Sequence, residues 1–261
     1  MANDKTSVRQ ILDKVKAEGR TSLTAPEGKL VCDAYGIAVP KEGVATSAAE
    51  ASKLASGMGF PVVLKIVSPT ILHKTEAGGV LVGVRTKEEV ERGYTTIMEN
   101  AKKHDRQADL LGVQVQQMLS GEQEVIIGAV TDPSFGKLVA FGLGGILVEV
   151  MKDITFRLAP ATREDALSML DGIAAAEILK GVRGADPVNR DALATLIQNV
   201  SQLITDFPEI SEMDLNPVFA TKSGATAADV RIVVDWNPAP PRYRPKHDDI
   251  CLLYTSDAAD E

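Results

Sequence analysis

Residues Pro61 to Val84 read PVVLKIVSPTILHKTEAGGVLVGV, and this stretch decides how the rest of the chain is organised. It opens on a β-branched run, Val62-Val63-Leu64-Lys65-Ile66-Val67, short and apolar enough for a buried strand. Lys65 sits in the middle of that run. An unpaired charge is costly to bury, so something anionic must meet this ammonium. A polar loop follows, Ser68 to Gly79, which carries His73 and Lys74 and closes on Gly78-Gly79. A second apolar run, Val80 to Val84, then returns. Strand, loop, strand with these residues predicts a phosphate cradle. The lysines neutralise phosphates, and the glycines let backbone N–H groups approach them closely.

Upstream of this stretch, Lys5 to Glu18 carries Val8, Ile11, Leu12 and Val15 on one helical stripe and stops at Gly19. Thr24 is a predicted N-cap, with Pro26 and Glu27 in the first turn of a helix reaching Tyr35 and ending at Gly36. Ile37 to Val44 reads as extended around Pro40. Ser47 caps a helix to about Met58, stopped by Gly59. Downstream, Lys87 to Lys103 is a charged, exposed helix. From Leu111 to Met118 the period is two, with Leu111, Val113 and Val115 on one face and Gln114 and Gln116 on the other. Further strands are expected at Glu124 to Val130 and Lys137 to Phe141, around a turn at Asp132-Pro133-Ser134, and at Ile146 to Val150. Helices follow at Arg163 to Asp171, Ala174 to Lys180 and Arg190 to Asp206. The core closes with strands at Ile210 to Ala220 and Asp229 to Val234.

At 261 residues the chain is long enough for two lobes rather than one. A net charge of −8 argues against nucleic acid as the main partner, yet leaves room for a basic pocket. No apolar stretch is long enough to span a bilayer, and the N-terminus lacks a signal-type apolar core. Two cysteines, Cys32 and Cys251, make neither a disulfide framework nor a zinc cluster. A cytoplasmic α/β protein is the expectation. The Pro-rich stretch 237–250 reads as an exit segment. Beyond it, Cys251 to Glu261 (CLLYTSDAADE) shows no periodicity and looks like the translation of a sequencing adapter, so it is expected to be non-native.

Four places carry chemistry. The first is Lys65 with the His73 loop. The second is Gln116 to Glu124, a strand–turn–strand whose backbone suits an adenine and whose carboxylate suits ribose hydroxyls. The third is Gly142-Leu143-Gly144-Gly145, with Glu149 just beyond, a weak signal by itself. The fourth is Asp214-Leu215-Asn216-Pro217 with Asp229. Asp214 and Asn216 share one face of a strand, and Asp229 lies opposite across a hairpin. A carboxylate and an amide oxygen converging in this way suit Mg²⁺, which takes few protein oxygens and shares the rest with phosphates and water. Each feature has a plain structural reading. A lysine in a strand guards an edge, Asn216-Pro217 makes a turn, and Asp229, like His104 and His247, is solvated. Their order along the chain is what favours a nucleotide site.

The segments LTAPEGKLVCDAYGIAVP, FPVVLKIVSPTILHKTEAGGV, GEQEVIIGAVTDPSFGKLVAFGLGGILVEVMKDITFRLAP, LKGVRG and EMDLNPV resemble the ATP-grasp subunit, or domain, of the NDP-forming acyl-CoA synthetases. The likeness is to the ADP-forming acetate–CoA ligase branch, related to the succinyl-CoA synthetase β subunit, and runs from about Leu23 to Val234. It implies an α+β (α/β) ATP-grasp fold over 23–236, after an N-terminal helix in 1–22. Its two lobes would be 23–110 with 190–236, and 111–189. ATP or ADP would lie between them, with Lys65, Lys74, Gly78 and Gly79 on phosphates and Gln116 and Glu124 near adenine and ribose. Gly142, Gly144, Gly145 and Glu149 would be loop or phosphate contacts. Asn216 and Asp229 would hold Mg²⁺, with Asp214 in support. Two departures stand out: Gly28 where the family often has Ala, and a widened turn from Lys222 to Ala228 that weakens the metal role of Asp229.

The family's reaction interconverts acid, CoA and ATP with acyl-CoA, ADP and phosphate through phosphohistidine. The resemblance implies that His73 relays the phosphoryl group from a first phosphohistidine on a CoA-binding half. That half would be a separate subunit or a fused domain, and this chain shows no second histidine loop. A relay is needed because two distant sites cannot share one in-line transfer geometry. Two other classes stay open: an ATP-grasp carboxylate–amine ligase, which has no use for His73, and a non-catalytic nucleotide-sensing module.

Overall fold

Six consecutive buried residues, Val62–Val67, form β2, and they divide cleanly between two surroundings. Val62, Leu64 and Ile66 enter one apolar cluster, while Val63, Lys65 and Val67 point the other way. The computed structural model describes residues 3–71, 73–120, 123–145, 153–182 and 186–238. Glu149, the expected strand Ile146 to Val150, most of the Pro-rich segment and the eleven-residue tail lie outside these residues.

A four-stranded antiparallel sheet has the order β1-β4-β2-β3, with β1 Glu42–Ala45, β3 Val80–Val84 and β4 Gly112–Gln117. Helices α3 (Ala48–Met58) and α4 (Lys87–His104) cover one face of it. They bury Ala51, Ala55, Val90 and Ile97 against Leu64, Ile66, Val113 and Val115. Both helices begin as the sequence predicts. The Ser47 hydroxyl accepts the Glu50 amide at 3.3 Å, and the Thr86 hydroxyl accepts that of Glu89 at 3.2 Å. Gly59, at φ 89°, ends α3 in a conformation that other residues adopt only with strain.

A second sheet runs β10-β8-β5-β6-β7, with β9 on β8. Its strands are β5 Gln123–Asp132, β6 Gly136–Leu143, β7 Ile154–Leu158, β8 Ile210–Ala220, β9 Ala225–Ala227 and β10 Val230–Val234. Its inner face packs on α1 (Lys5–Ala17), α2 (Ala25–Ala34), α5 (Arg163–Asp171) and α6 (Arg190–Asp206). Thr24 is the N-cap as expected and forms a capping box with Glu27, which also holds Arg20 at 2.7 and 2.9 Å.

The lobes divide differently from the expectation. Segment 111–189 is not one unit, because β4 pairs with both β1 and β2 and completes the first sheet. Nor does 190–236 join the N-terminal strands, since β8 pairs along β5. The N-terminal helix packs into the second lobe, with Val8, Leu12 and Val15 in its core. Among the described residues no helix is long and apolar enough to cross a membrane.

Candidate functional site

The face of β2 turned away from α3 and α4 carries Lys65, which is only 8% exposed. Its ammonium donates to the Ala228 carbonyl at 2.9 Å and to Asp229 Oδ1 at 3.2 Å, both from the other lobe. Lys74 approaches the same Asp229 oxygen at 3.5 Å. Two cations therefore meet one carboxylate, an arrangement that leaves one positive charge in excess at that point. The anion demanded by a buried lysine is present, and it comes from the chain itself.

His73 to Gly79 is a single helical turn. The Ala77 amide donates to the His73 carbonyl at 3.2 Å, Gly78 to Thr75 at 3.0 Å and Gly79 to Lys74 at 2.8 Å. With Gly78 at φ 62°, this is a Schellman closure. The two glycine N–H groups are thus taken up inside the turn, which corrects the expectation that they face phosphates. Gly79 has a packing reason instead: a Cβ there would stand 2.5 Å from Ile66 Cγ2 and 3.0 Å from the Lys74 carbonyl. The Ile66 amide completes the seam by donating to the Gly79 carbonyl at 2.8 Å. Gly79→Ala is expected to destabilise the chain by about 1–3 kcal/mol, the scale of an overpacked contact. A lower urea midpoint would register it, and an unmoved midpoint would show that the turn lifts off β2 freely.

Asn216 reaches the same cleft through a bulge. Val125 of β5 pairs with Val218 and Ile127 with Leu215, so Asn216 and Pro217 together face Ile126 alone. An extra residue of this kind bends a strand and re-aims a side chain. The Ala228 amide donates to the Pro217 carbonyl at 2.9 Å and fixes the turn carrying Asp229 beside Asn216. Lys65, His73, Lys74, Asn216 and Asp229 line one cleft of about 360 Å³, together with Thr75, Glu76, Val80 and Pro217. His73 is exposed within it.

The other expected residues lie around this cleft or apart from it. Asp214 is paired with Arg231 in the ladder and half-buried. Burial raises its carboxyl pKa; Arg231 lowers it, and the acidic neighbours Glu212 and Asp229 raise it further. Gln116 borders a narrow space that also touches Asp229, and its amide donates to Glu42 at 2.9 Å. Glu124, Gly142, Gly144 and Gly145 do not line the cleft. Gly142 belongs to β6 rather than to a loop, and a Cβ on it would lie 2.8 Å from the Asp153 carbonyl. The Gly144 amide donates to the Glu124 carbonyl at 2.7 Å, so Glu124 and the Gly144–Gly145 turn form a second cluster.

Two residues escaped sequence reading. Glu42 is half-buried, and burial raises its carboxyl pKa against the lowering effect of the Gln116 hydrogen bond and the nearby Gln114 amide. Gln114 is 2% exposed, faces Lys65 across the ladder and has a buried Oε1 without a partner. Its period-two position beside Gln116 was visible, but only the register places it opposite Lys65.

For a divalent cation the donor set fits: Asn216 and Asp229 offer an amide and a carboxylate oxygen on one cleft, which suits a hard ion that shares phosphate oxygens. Among the described residues no group of three or more His, Cys, Asp or Glu side chains is placed to hold a metal without such help.

Comparison with known proteins identifies the family and the fold. Residues 14–234 match the family model of an ATP-grasp domain. The chain is 48% identical over 226 residues to the β subunit of acetate–CoA ligase (ADP-forming) I from Pyrococcus furiosus, covering 87% of this chain and 97% of that one. It is 44% identical over 231 residues to 4-hydroxybutyrate–CoA ligase (ADP-forming) from Nitrosopumilus maritimus, covering 88% of this chain and 33% of that longer protein. A solved dinucleotide forming acetyl-coenzyme A synthetase 1 from Ca. Korarchaeum cryptofilum, in complex with coenzyme A, Ca-AMPCP and HgCl⁺, superposes with a TM-score of 0.84 at 42% identity. It covers 87% of this chain and 99% of the solved one.

Proposed function

The chain belongs to the ATP-grasp family, in the branch of the ADP-forming acid–CoA ligase β subunits, and from that we propose that it is the nucleotide-binding, phosphoryl-transferring half of such a ligase. The reaction is acid, CoA and ATP to acyl-CoA, ADP and phosphate, run in either direction. One observation carries this reading: a histidine and two lysines of one lobe and an asparagine and aspartate of the other line a single cleft.

Lys65 and Lys74 hold the phosphates of ATP or ADP, taking phosphate oxygens in place of the Asp229 carboxylate they meet in the free chain. Asn216 and Asp229, the latter so released, would hold Mg²⁺, with Asp214 in support from the ladder. Bound there, the ion supplies charge neutralisation at the phosphates. His73 is the nucleophile. One of its ring nitrogens takes the phosphoryl group from a phosphohistidine of the partner half, one N–P bond forming as the other breaks. A terminal oxygen of ADP then takes the group from His73, which returns as the free imidazole. A neutral imidazole is a competent nucleophile near pH 7. Gln116 faces the base and Glu124 the ribose.

The CoA-binding half is a separate subunit where the relatives are β subunits, and part of the same chain where the relatives are three times as long. The acid differs among the relatives, whose names include acetate and 4-hydroxybutyrate. The reading places the protein in the cytoplasm, with neither membrane nor nucleic acid as a partner.

Calorimetric titration with Mg-ADP tests the site, and the absence of any binding heat would refute it. The metal role is tested separately. Asn216→Ala is expected to leave metal-free nucleotide affinity unchanged and to reduce the gain from Mg²⁺ by at least roughly tenfold. Full Mg²⁺ dependence in that variant would remove Asn216 from the ligand set.

A further inference from the structure

Glu42 of β1 stands at the centre of a polar patch that the reaction itself does not explain. Its carboxylate accepts the Gln116 amide at 2.9 Å, and the neighbouring Gln114 amide lowers its pKa. A carboxylate only accepts, so Gln116 gives it its NH₂ group, and an NH₂ group of Gln114 that faces the same carboxylate leaves the Gln114 carbonyl oxygen turned away. The Gln114 oxygen is buried and has no partner. Lys65 lies directly across the ladder, yet its ammonium donates to Ala228 and Asp229 instead. A buried acceptor without a donor is costly, and its presence points to a group that arrives from outside.

The arriving group must be a donor, and a nucleotide offers few. Phosphate oxygens accept, which leaves ribose hydroxyls and the exocyclic amino group of the base. Gln114 sits two residues from Gln116 on the same face of β4, on the space that also touches Asp229. A glutamine amide is flat and matches the edge of adenine, as in adenine recognition elsewhere. We propose that Gln114 is a specificity-determining residue, its Oε1 accepting a hydrogen bond from the exocyclic amino group of adenine and so rejecting 6-oxopurine nucleotides, with Glu42 as the residue that positions it. This rests on the reading of the cleft as the nucleotide site. A 6-oxopurine would bring a second carbonyl oxygen against Gln114, leaving both without a donor. The space in front of Gln114 is about 10 Å³, too small for more than a water, so the base enters as the two sheets part.

The test is calorimetry on the full chain with Mg-ADP and Mg-IDP, which differ at purine position 6. The wild type is expected to bind ADP at least roughly tenfold more tightly than IDP, and Gln114→Leu to bring that ratio towards one, chiefly by weakening ADP. Glu42→Gln, which frees the glutamine amides to turn, is expected to narrow the ratio as well. It provides the check should Gln114→Leu fail to fold. A wild-type ratio near one overturns the proposal. So do equal losses for ADP and IDP in Gln114→Leu, which would mean that a fixed water or plain packing satisfies the oxygen. Failure to bind either nucleotide refutes the nucleotide site itself, a separate outcome from loss of discrimination.

Discussion

Replacing His73 with alanine is expected to reduce ATP formation from acyl-CoA at least roughly a thousandfold, while ADP binds as before. The large effect comes from the covalent role. His73 is exposed at the rim of the cleft, on the turn that also carries Lys74, and it is not part of either apolar core. Removing it deletes a nucleophile without opening a cavity, so the unfolding midpoint should stay where it is. In the assembled enzyme, with the CoA-binding half present, labelled phosphate should appear on His73 as an acid-labile, base-stable adduct. In His73→Ala the label should stop on the partner's histidine. Full net turnover in the variant would show that the relay does not pass through His73. Intact nucleotide binding with no phosphohistidine at all would return the chain to the carboxylate–amine ligases or to a sensing module.

What the chain discloses about itself before folding is mostly local. The caps at Thr24 and Ser47, the charged helix from Lys87, the stop at Gly59 and the lysine-bearing strand 62–67 are each decided by residues within a turn of one another. The partition into lobes is not. It depends on β4 inserting between β1 and β2, pairings that bring Gln116 to Glu42 and Gln114 to Lys65. Nothing in Gly112–Gln117 distinguishes that partner from β5, which follows it directly. Short strands suffered similarly: Ala225–Ala227 read as a widened turn because three small residues carry no alternation worth counting.

The site divides along the same line. The residue types were legible, because a buried lysine and a histidine before paired glycines are chemically unusual. Their hydrogen-bond economy was not. Gly78 and Gly79 promise free N–H donors in sequence, yet both donors close the turn on Thr75 and Lys74. Asp229 promised a metal ligand and is found between two ammonium groups. A carboxylate that can face either lysine or a divalent cation suits a site that must be charge-balanced both with and without its nucleotide.

Lys65 is where that dual pairing can be tested, because its two possible roles predict opposite results. If the ammonium only anchors Asp229 across the lobes, Lys65→Met should lower the unfolding midpoint and leave nucleotide affinity alone. If it serves the phosphates, the outcome reverses, and this is the expected result. Methionine keeps the length and apolar stem inside a fully buried strand. Asp229 retains Lys74 at 3.5 Å and is partly open to water, so it is not left as an isolated buried charge. Stability is therefore expected to change by less than about 1 kcal/mol, the scale of an ion pair whose carboxylate is partly exposed. Affinity for Mg-ADP should fall by about 2–3 kcal/mol, the scale of a charge-assisted hydrogen bond, which is roughly 30- to 150-fold. Lys65→Arg should not restore it, because a planar fork cannot occupy the place of a compact ammonium inside a strand that is buried on both faces. Calorimetry and urea unfolding on the same two variants decide the matter. A lowered midpoint with undiminished ADP binding would make Lys65 a structural residue and remove the main cation from the proposed site.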